Sequence, residues 1–251
     1  MRNSLNNSNI TYFPLRDKEK NTKNQKLIID KKKLDEFGFL VLKNFGDSSE
    51  KLKNFIIGQG YNLFYSEKLD GWLHTFETKM DSTELSEELE SGGFHTDFMF
   101  QKKPPRYIAL QCIKADPKYP FYGRNQIVKI DHLINQFIKF GIEESEFREL
   151  EVEYFLNGEI YKQKLFDPDF KNIKYHQKFA INNIILKNNI KIVELINNVS
   201  LSVCSDFVLN SGDLLIIDNY TTLHRRSECS VKYDDEREVF ESRKMNSVRF
   251  D

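Results

Sequence analysis

The sequence is poor in the features that mark several large classes of protein. It has only three cysteines, Cys112, Cys204 and Cys229, an odd number with no Cys-x-x-Cys spacing. That argues against a disulfide framework and a thiolate zinc site, and it suits a reducing cytoplasm. The formal net charge is −1 over 251 residues, so no general field draws the chain to nucleic acid or to an acidic membrane surface. No apolar run approaches the length that spans a bilayer. The opening residues Met1-Arg2-Asn3-Ser4-Leu5-Asn6-Asn7-Ser8-Asn9 lack the apolar stretch of a secretory signal. The expectation is a soluble, cytoplasmic protein.

What is present suffices for a packed interior. Hydrophobic residues make up 39% of the chain and 21 residues are Phe, which points to a Phe-filled core in one domain. Residues 1–26 are polar and expected to be flexible, and residues 27–251 are expected to form that single domain. The Lys-rich stretch 18–33 is interrupted by Glu19 and Asp30 and reads as a solvated face. Residues 39–42 form a buried-strand pattern, and Ser48 or Ser49 can cap a helix running to Ile57. Residues 107–114 predict a strand and residues 131–140 an amphipathic helix. Asn157-Gly158 between residues 150–156 and 160–165 predicts a hairpin with a type I′ turn. A helix is expected over about residues 187–197, ahead of 199–203, and a last hairpin joins 229–233 to 238–250. Residues 81–92 are acidic and loop-like and suggest a lid that is mobile until substrate binds.

Two short blocks carry the chemistry. In Gly92-Gly93-Phe94-His95-Thr96-Asp97, an extended backbone would put His95 and Asp97 on one face, since strand side chains repeat every two residues. In Ser211-Gly212-Asp213-Leu214-Leu215-Ile216-Ile217-Asp218-Asn219-Tyr220-Thr221-Thr222-Leu223-His224, a turn feeds a buried strand and a second imidazole follows. Two histidines and one carboxylate on one side of a metal, with the other side open, is the donor set of non-haem Fe(II) oxygenases. Each residue also has an ordinary reading: His95 and Asp97 as a surface turn pair, His224 as a core histidine.

These blocks resemble the taurine dioxygenase and clavaminate synthase-like family of Fe(II)/2-oxoglutarate oxygenases. The likeness begins at Gly38-Phe39-Leu40-Val41-Leu42-Lys43-Asn44-Phe45. It runs through the His95 block and Pro104-Pro105-Arg106-Tyr107-Ile108-Ala109-Leu110-Gln111-Cys112, and closes at His224-Arg225-Arg226. It implies a mostly β double-stranded β-helix, or jelly roll, with flanking helices. It also implies Fe(II) on His95, Asp97 and His224, with 2-oxoglutarate and O2 as co-substrates. The reaction would be oxidation, by default hydroxylation, of a C–H bond in a small, polar, amino-acid-like metabolite, releasing succinate and CO2. Because Asp97 is present, no ligand position is vacant for a halide.

The same resemblance calls for an arginine, on a strand after the second histidine, to hold the distal carboxylate of 2-oxoglutarate. Arg243 in Arg243-Lys244-Met245 matches it best. Arg237 lies in a charged turn, and Arg249, six strand residues on, would stand roughly 20 Å from Arg243. Ser247 stands where relatives often carry a second Arg. Asn125 is either a second contact to the co-substrate or a plain turn residue. Arg226 either orders the site, meets substrate, or makes a surface salt bridge. Asp218 and Asn219 are expected to fix a strand end, and His74, His132 and His176 match nothing in the pattern. The rivals are a zinc hydrolase on the same three residues, which lacks an obvious general base, and a non-catalytic jelly-roll binding protein.

Overall fold

The computed structural model describes residues 27–67, 70–181 and 191–251, so the segment expected to be flexible, 1–26, lies outside the described residues. Helix α1 (Lys31–Phe37) begins where the Asp30 side chain accepts from the Lys33 N–H at 3.2 Å. It ends at Gly38, with φ +78°, where a Cβ would fall 2.2 Å from Thr222 Cγ2; only glycine meets both demands. Strand β1 (Phe39–Leu42) follows, and Ser48 caps α2 (Ser49–Gly58) by accepting from Lys51 N–H. These elements fall where the local sequence signals place them.

Five strands make the larger sheet, in the spatial order β1, β8 (Leu214–Asp218), β3 (Tyr107–Lys114), β12 (Lys244–Phe250), β2 (Leu73–Glu77), antiparallel throughout. A smaller antiparallel sheet holds β7 (Ser205–Phe207), β4 (Asn125–Lys129) and β9 (Thr222–Arg226). Alternation along the strands divides the core. Ile108, Cys112, Leu215, Ile217 and Met245 join Ile127 in one buried cluster. The alternate residues, among them Ala109, Leu214, Ile216, Val248 and Phe250, pack against Leu34, Leu52 and Ile56 of α1 and α2. Helices α3 (Ile130–Lys139) and α5 (Ile192–Val203) cover Val128 and Leu223 of the smaller sheet. Burying one such Leu or Phe is worth roughly 1.5–3 kcal/mol. The result is the expected jelly roll with helices outside.

Helix α4 (Glu144–Arg148) precedes the hairpin of β5 (Glu151–Leu156) and β6 (Glu159–Lys164). Its turn residues Asn157 and Gly158 adopt φ +53° and +85°, as a type I′ turn requires. Two expectations need correction. The helix expected to end near residue 197 runs to Val203, because Val199 and Ser200 continue its buried face; residues 182–190 lie outside the description. The last strand is not continuous over 238–250. Strand β11 (Val239–Ser242) pairs with β10 (Val231–Asp234), whereas β12 crosses to the larger sheet with a register shift between Lys244 and Met245. Such a bulge re-aims a strand, and Arg243 sits at the change. Among the described residues no helix is long and apolar enough to cross a membrane.

Candidate active site

Backbone pairing brings the two histidines together. His95 N–H donates to His224 O, and His224 N–H donates to His95 O, both at 3.0 Å. The two residues are therefore direct cross-strand neighbours with side chains on one face, and their ring centroids are 4.5 Å apart. Asp97 is held by Asn219, whose Oδ1 accepts from Asp97 N–H at 2.7 Å and whose Nδ2 donates to Asp97 O at 3.0 Å. Asp218 in turn binds Arg106 at 3.1 Å. Asp218 and Asn219 thus fix the strand end, as expected, and Asn219 sets where Asp97 stands.

One ligand atom from each of His95, Asp97 and His224 lies within 4.8 Å of the others. Asp97 Oδ1 is 3.5 Å from His95 Nε2 and 3.7 Å from His224 Nε2. His95 Nδ1 is 2.9 Å from Gly93 O, a contact that makes Nδ1 the protonated nitrogen and leaves Nε2 a free donor to a metal. Burial and the neighbouring His95 lower the pKa of His224. Burial pushes Asp97 upward, but His224, His95 and the Arg249 guanidinium outweigh it and hold the carboxyl well below its ordinary range. A carboxylate beside two imidazoles is a donor set that suits a divalent cation such as Fe(II).

The three donors face a cavity of about 360 Å³ that also touches Arg243, Asn125, Arg226, Ser247, Arg249 and His176. Asn125 Nδ2, Ser247 Oγ, Arg249 Nε, His176 Nδ1 and His224 Nδ1 are buried without a hydrogen-bond partner among the described residues. Native proteins rarely leave such atoms unpaired, and all five belong to residues that line this cavity. Arg243 is only 5% exposed. Its Nη2 donates to Asn125 Oδ1 at 3.4 Å, and no carboxylate among the described residues pairs with it. Gly123 leaves it room: a Cβ there would lie 3.1 Å from Arg243 Cδ.

The remaining sequence candidates separate. Arg237 is exposed and paired with Asp234 and Glu241, so it stays a solvated turn residue. Arg226 reaches the cavity wall, but its Nη2 donates to the carbonyls of Glu88 and Glu90 at 2.7 and 2.9 Å, and its Nη1 to Ser227 O. These bonds fasten Arg226 to the loop over residues 81–92 at the edge of the cavity. His132 is exposed, and His74 lines the cavity. Two cavity residues were not found from sequence. His176 arrives through an isolated bridge to His95, which leaves no local signal. Arg249 shares the odd-numbered parity of Arg243, a signal that was legible, and its partner is Asp97.

Residues 12–128 match a family model described as Taurine catabolism dioxygenase TauD, TfdA family. That stretch holds His95, Asp97 and Asn125 and ends before His224 and Arg243. No curated protein sequence matches the chain. Among solved structures, an asparagine oxygenase in complex with Fe(II), 3-hydroxyasparagine and succinate is similar at a TM-score of 0.64 and 15% identity, covering 84% of this chain and 73% of that one. The non-haem iron oxygenase OrfP, in complex with Fe and alpha-ketoglutaric acid, is similar at 0.59 and 14%, covering 87% and 76%. A taurine dioxygenase from Burkholderia xenovorans is similar at 0.59 and 14%, covering 87% and 78%.

Proposed function

We propose that this chain, similar in fold to iron oxygenases and in residues 12–128 to the taurine dioxygenase family, is an Fe(II)/2-oxoglutarate-dependent oxygenase. Its reaction is the hydroxylation of a C–H bond in a small amino-acid-like metabolite, with release of succinate and CO2. One observation carries this reading. A two-imidazole, one-carboxylate donor set shares its cavity with a buried guanidinium that has no carboxylate partner among the described residues. A divalent metal answers the first group of residues, and a dicarboxylate co-substrate answers the second.

His95 Nε2, His224 Nε2 and Asp97 Oδ1 would hold the metal, and Arg243 with Asn125 would grip the far carboxylate of 2-oxoglutarate. Bound Fe(II), with 2-oxoglutarate and O2, supplies the oxidising power that no side chain has. The protein's own residues orient and exclude. Gly93 O holds the His95 ring, Asn219 holds the Asp97 backbone, and Arg226 fastens the 81–92 loop beside the cavity, where it limits water. The preference for an amino-acid-like substrate rests on the asparagine oxygenase relative. Residues 27–251 act as one catalytic unit, since β1 and β12, from opposite ends of the chain, lie in one sheet. The three free cysteines fit a cytoplasmic setting.

The zinc hydrolase reading gives Arg243 no partner, and the binding-protein reading gives no reason for the convergent ligand atoms. The test is succinate formation from 2-oxoglutarate with Fe(II) against Zn(II), across a panel of free amino acids. Succinate with iron alone, stimulated by at least one amino acid and abolished in Asp97→Ala, is the expected result. Hydrolytic activity with Zn(II) and no succinate with iron would overturn the proposal.

A further inference from the structure

The two oxygens of Asp97 have different surroundings. Oδ1 faces the histidine nitrogens at 3.5 and 3.7 Å. Oδ2 lies 3.4 Å from Arg249 Nη2. Arg249 on β12 and Arg243, immediately before that strand, both line the cavity, and the Arg249 guanidinium sits 5.4 Å from the centroid of the Phe98 ring. Phe98 is itself fixed by a left-handed backbone, φ +56°, and by the Phe64 ring at 5.5 Å. The Arg249 side chain is 16% exposed, and its Nε is buried without a partner. Asp97 therefore has its backbone held by Asn219 and one carboxylate oxygen beside a partly buried guanidinium.

We propose that Arg249 is a positioning residue that keeps Asp97 a one-oxygen ligand, so that Oδ1 alone meets the metal. The inference rests on the oxygenase reading above. Three protein atoms on one face leave the opposite face for two atoms of the keto-acid and for O2. A second oxygen from Asp97 would occupy one of those positions. Carboxylates bind metals through one or both oxygens readily, and a fixed charge-assisted donor on Oδ2 selects the one-oxygen mode. Arg243 and Arg249 then divide the work: the first reads the far end of the co-substrate, the second preserves the space in which its near end binds.

Crystal structures of the Mn(II)-loaded protein and its Arg249→Met variant test this directly, alongside anaerobic titration of the Fe(II) forms with 2-oxoglutarate and with pyruvate, which has the keto-acid but no far carboxylate. Expected are one Asp97 oxygen on the metal in the wild type and two in Arg249→Met. Metal affinity should be retained, while the visible absorption of the chelate weakens about tenfold in apparent affinity for both keto-acids. Arg249→Lys should restore part of that loss. Arg243→Met should lose 2-oxoglutarate affinity and leave pyruvate unchanged. One-oxygen binding in Arg249→Met, or unchanged affinity for both keto-acids, would overturn the role of Arg249 and leave the oxygenase reading standing. A wild type that binds neither iron nor keto-acid would overturn both.

Discussion

Replacing Arg243 by Met should move activity and stability in opposite directions. A charge-assisted contact to a carboxylate is worth about 1.5–3 kcal/mol, so the KM for 2-oxoglutarate should rise roughly ten- to a hundredfold. The folded protein, however, buries this cation with one long hydrogen bond to Asn125 Oδ1 and no carboxylate within salt-bridge distance among the described residues, and burying a charge without an ion-pair partner is costly. Thermal unfolding of the protein without co-substrate should therefore show Arg243→Met at least as stable as the wild type. A marked loss of stability would mean that the guanidinium has a structural partner. His176 gives a second single-residue test. Burial and the adjacent His95 lower its pKa from 6.5 to about 3. Below pH 6.5 the unfolded chain takes up a proton that the folded imidazole refuses. Its stabilising contribution is complete above pH 6.5 and is lost as pH falls towards 3, at up to about 1.4 kcal/mol per pH unit. Urea unfolding from about pH 7 to about pH 4 should show a shallower acid slope in His176→Phe, a change that keeps a ring against Phe179. An unchanged slope would assign the acid sensitivity to other groups.

The loop over residues 81–92 behaves as an element, although it has no helix or strand. Its acidic composition suggested a segment that packs only around substrate, yet the folded chain ties it down at several points. Arg226 donates to Glu88 and Glu90, Gly92 N–H and Ser91 Oγ bond Arg226 O, Lys79 pairs with Glu87, and Lys178 pairs with Glu88. We expect Arg226→Ala to raise amide exchange over residues 84–92 and to leave the exchange of β3 and β8 unchanged. Turnover should fall while metal affinity holds, because the donors to the metal do not touch Arg226. Equal protection in the variant would show that the two lysine pairs suffice. Strand β12 illustrates a different property of elements. Its parity was readable, but its departure from the β10–β11 hairpin at Arg243 was not, since that depends on which sheet offers a free edge.

For the whole molecule, the donor set spans residues 95 to 224, so metal binding should require the folded chain. A ligand that binds only the folded state adds about 2.7 kcal/mol at a hundredfold excess over its Kd. For a protein of this length that corresponds to a rise in Tm of roughly 5–10 °C. Mn(II) should give such a shift, a chelator should reverse it, and Asp97→Ala should abolish it. A shift that persists in Asp97→Ala would place the metal elsewhere. Caps, turns and alternation are set by each residue's near neighbours, and so Ser48, Asn157-Gly158 and the strand of residues 107–114 were legible in the sequence. So were His95 and Asp97, two positions apart, and the turn-strand-histidine block that ends at His224. Other features were decided by pairing between distant segments: the register that sets His95 opposite His224, the clamp of Asn219 on Asp97, the arrival of His176, and the contact of Arg249 with the Asp97 carboxylate. Local preferences fix which way a side chain points along its own strand. Only the packing of the two sheets determines what it meets there, because that partner comes from a strand whose position no neighbouring residue encodes.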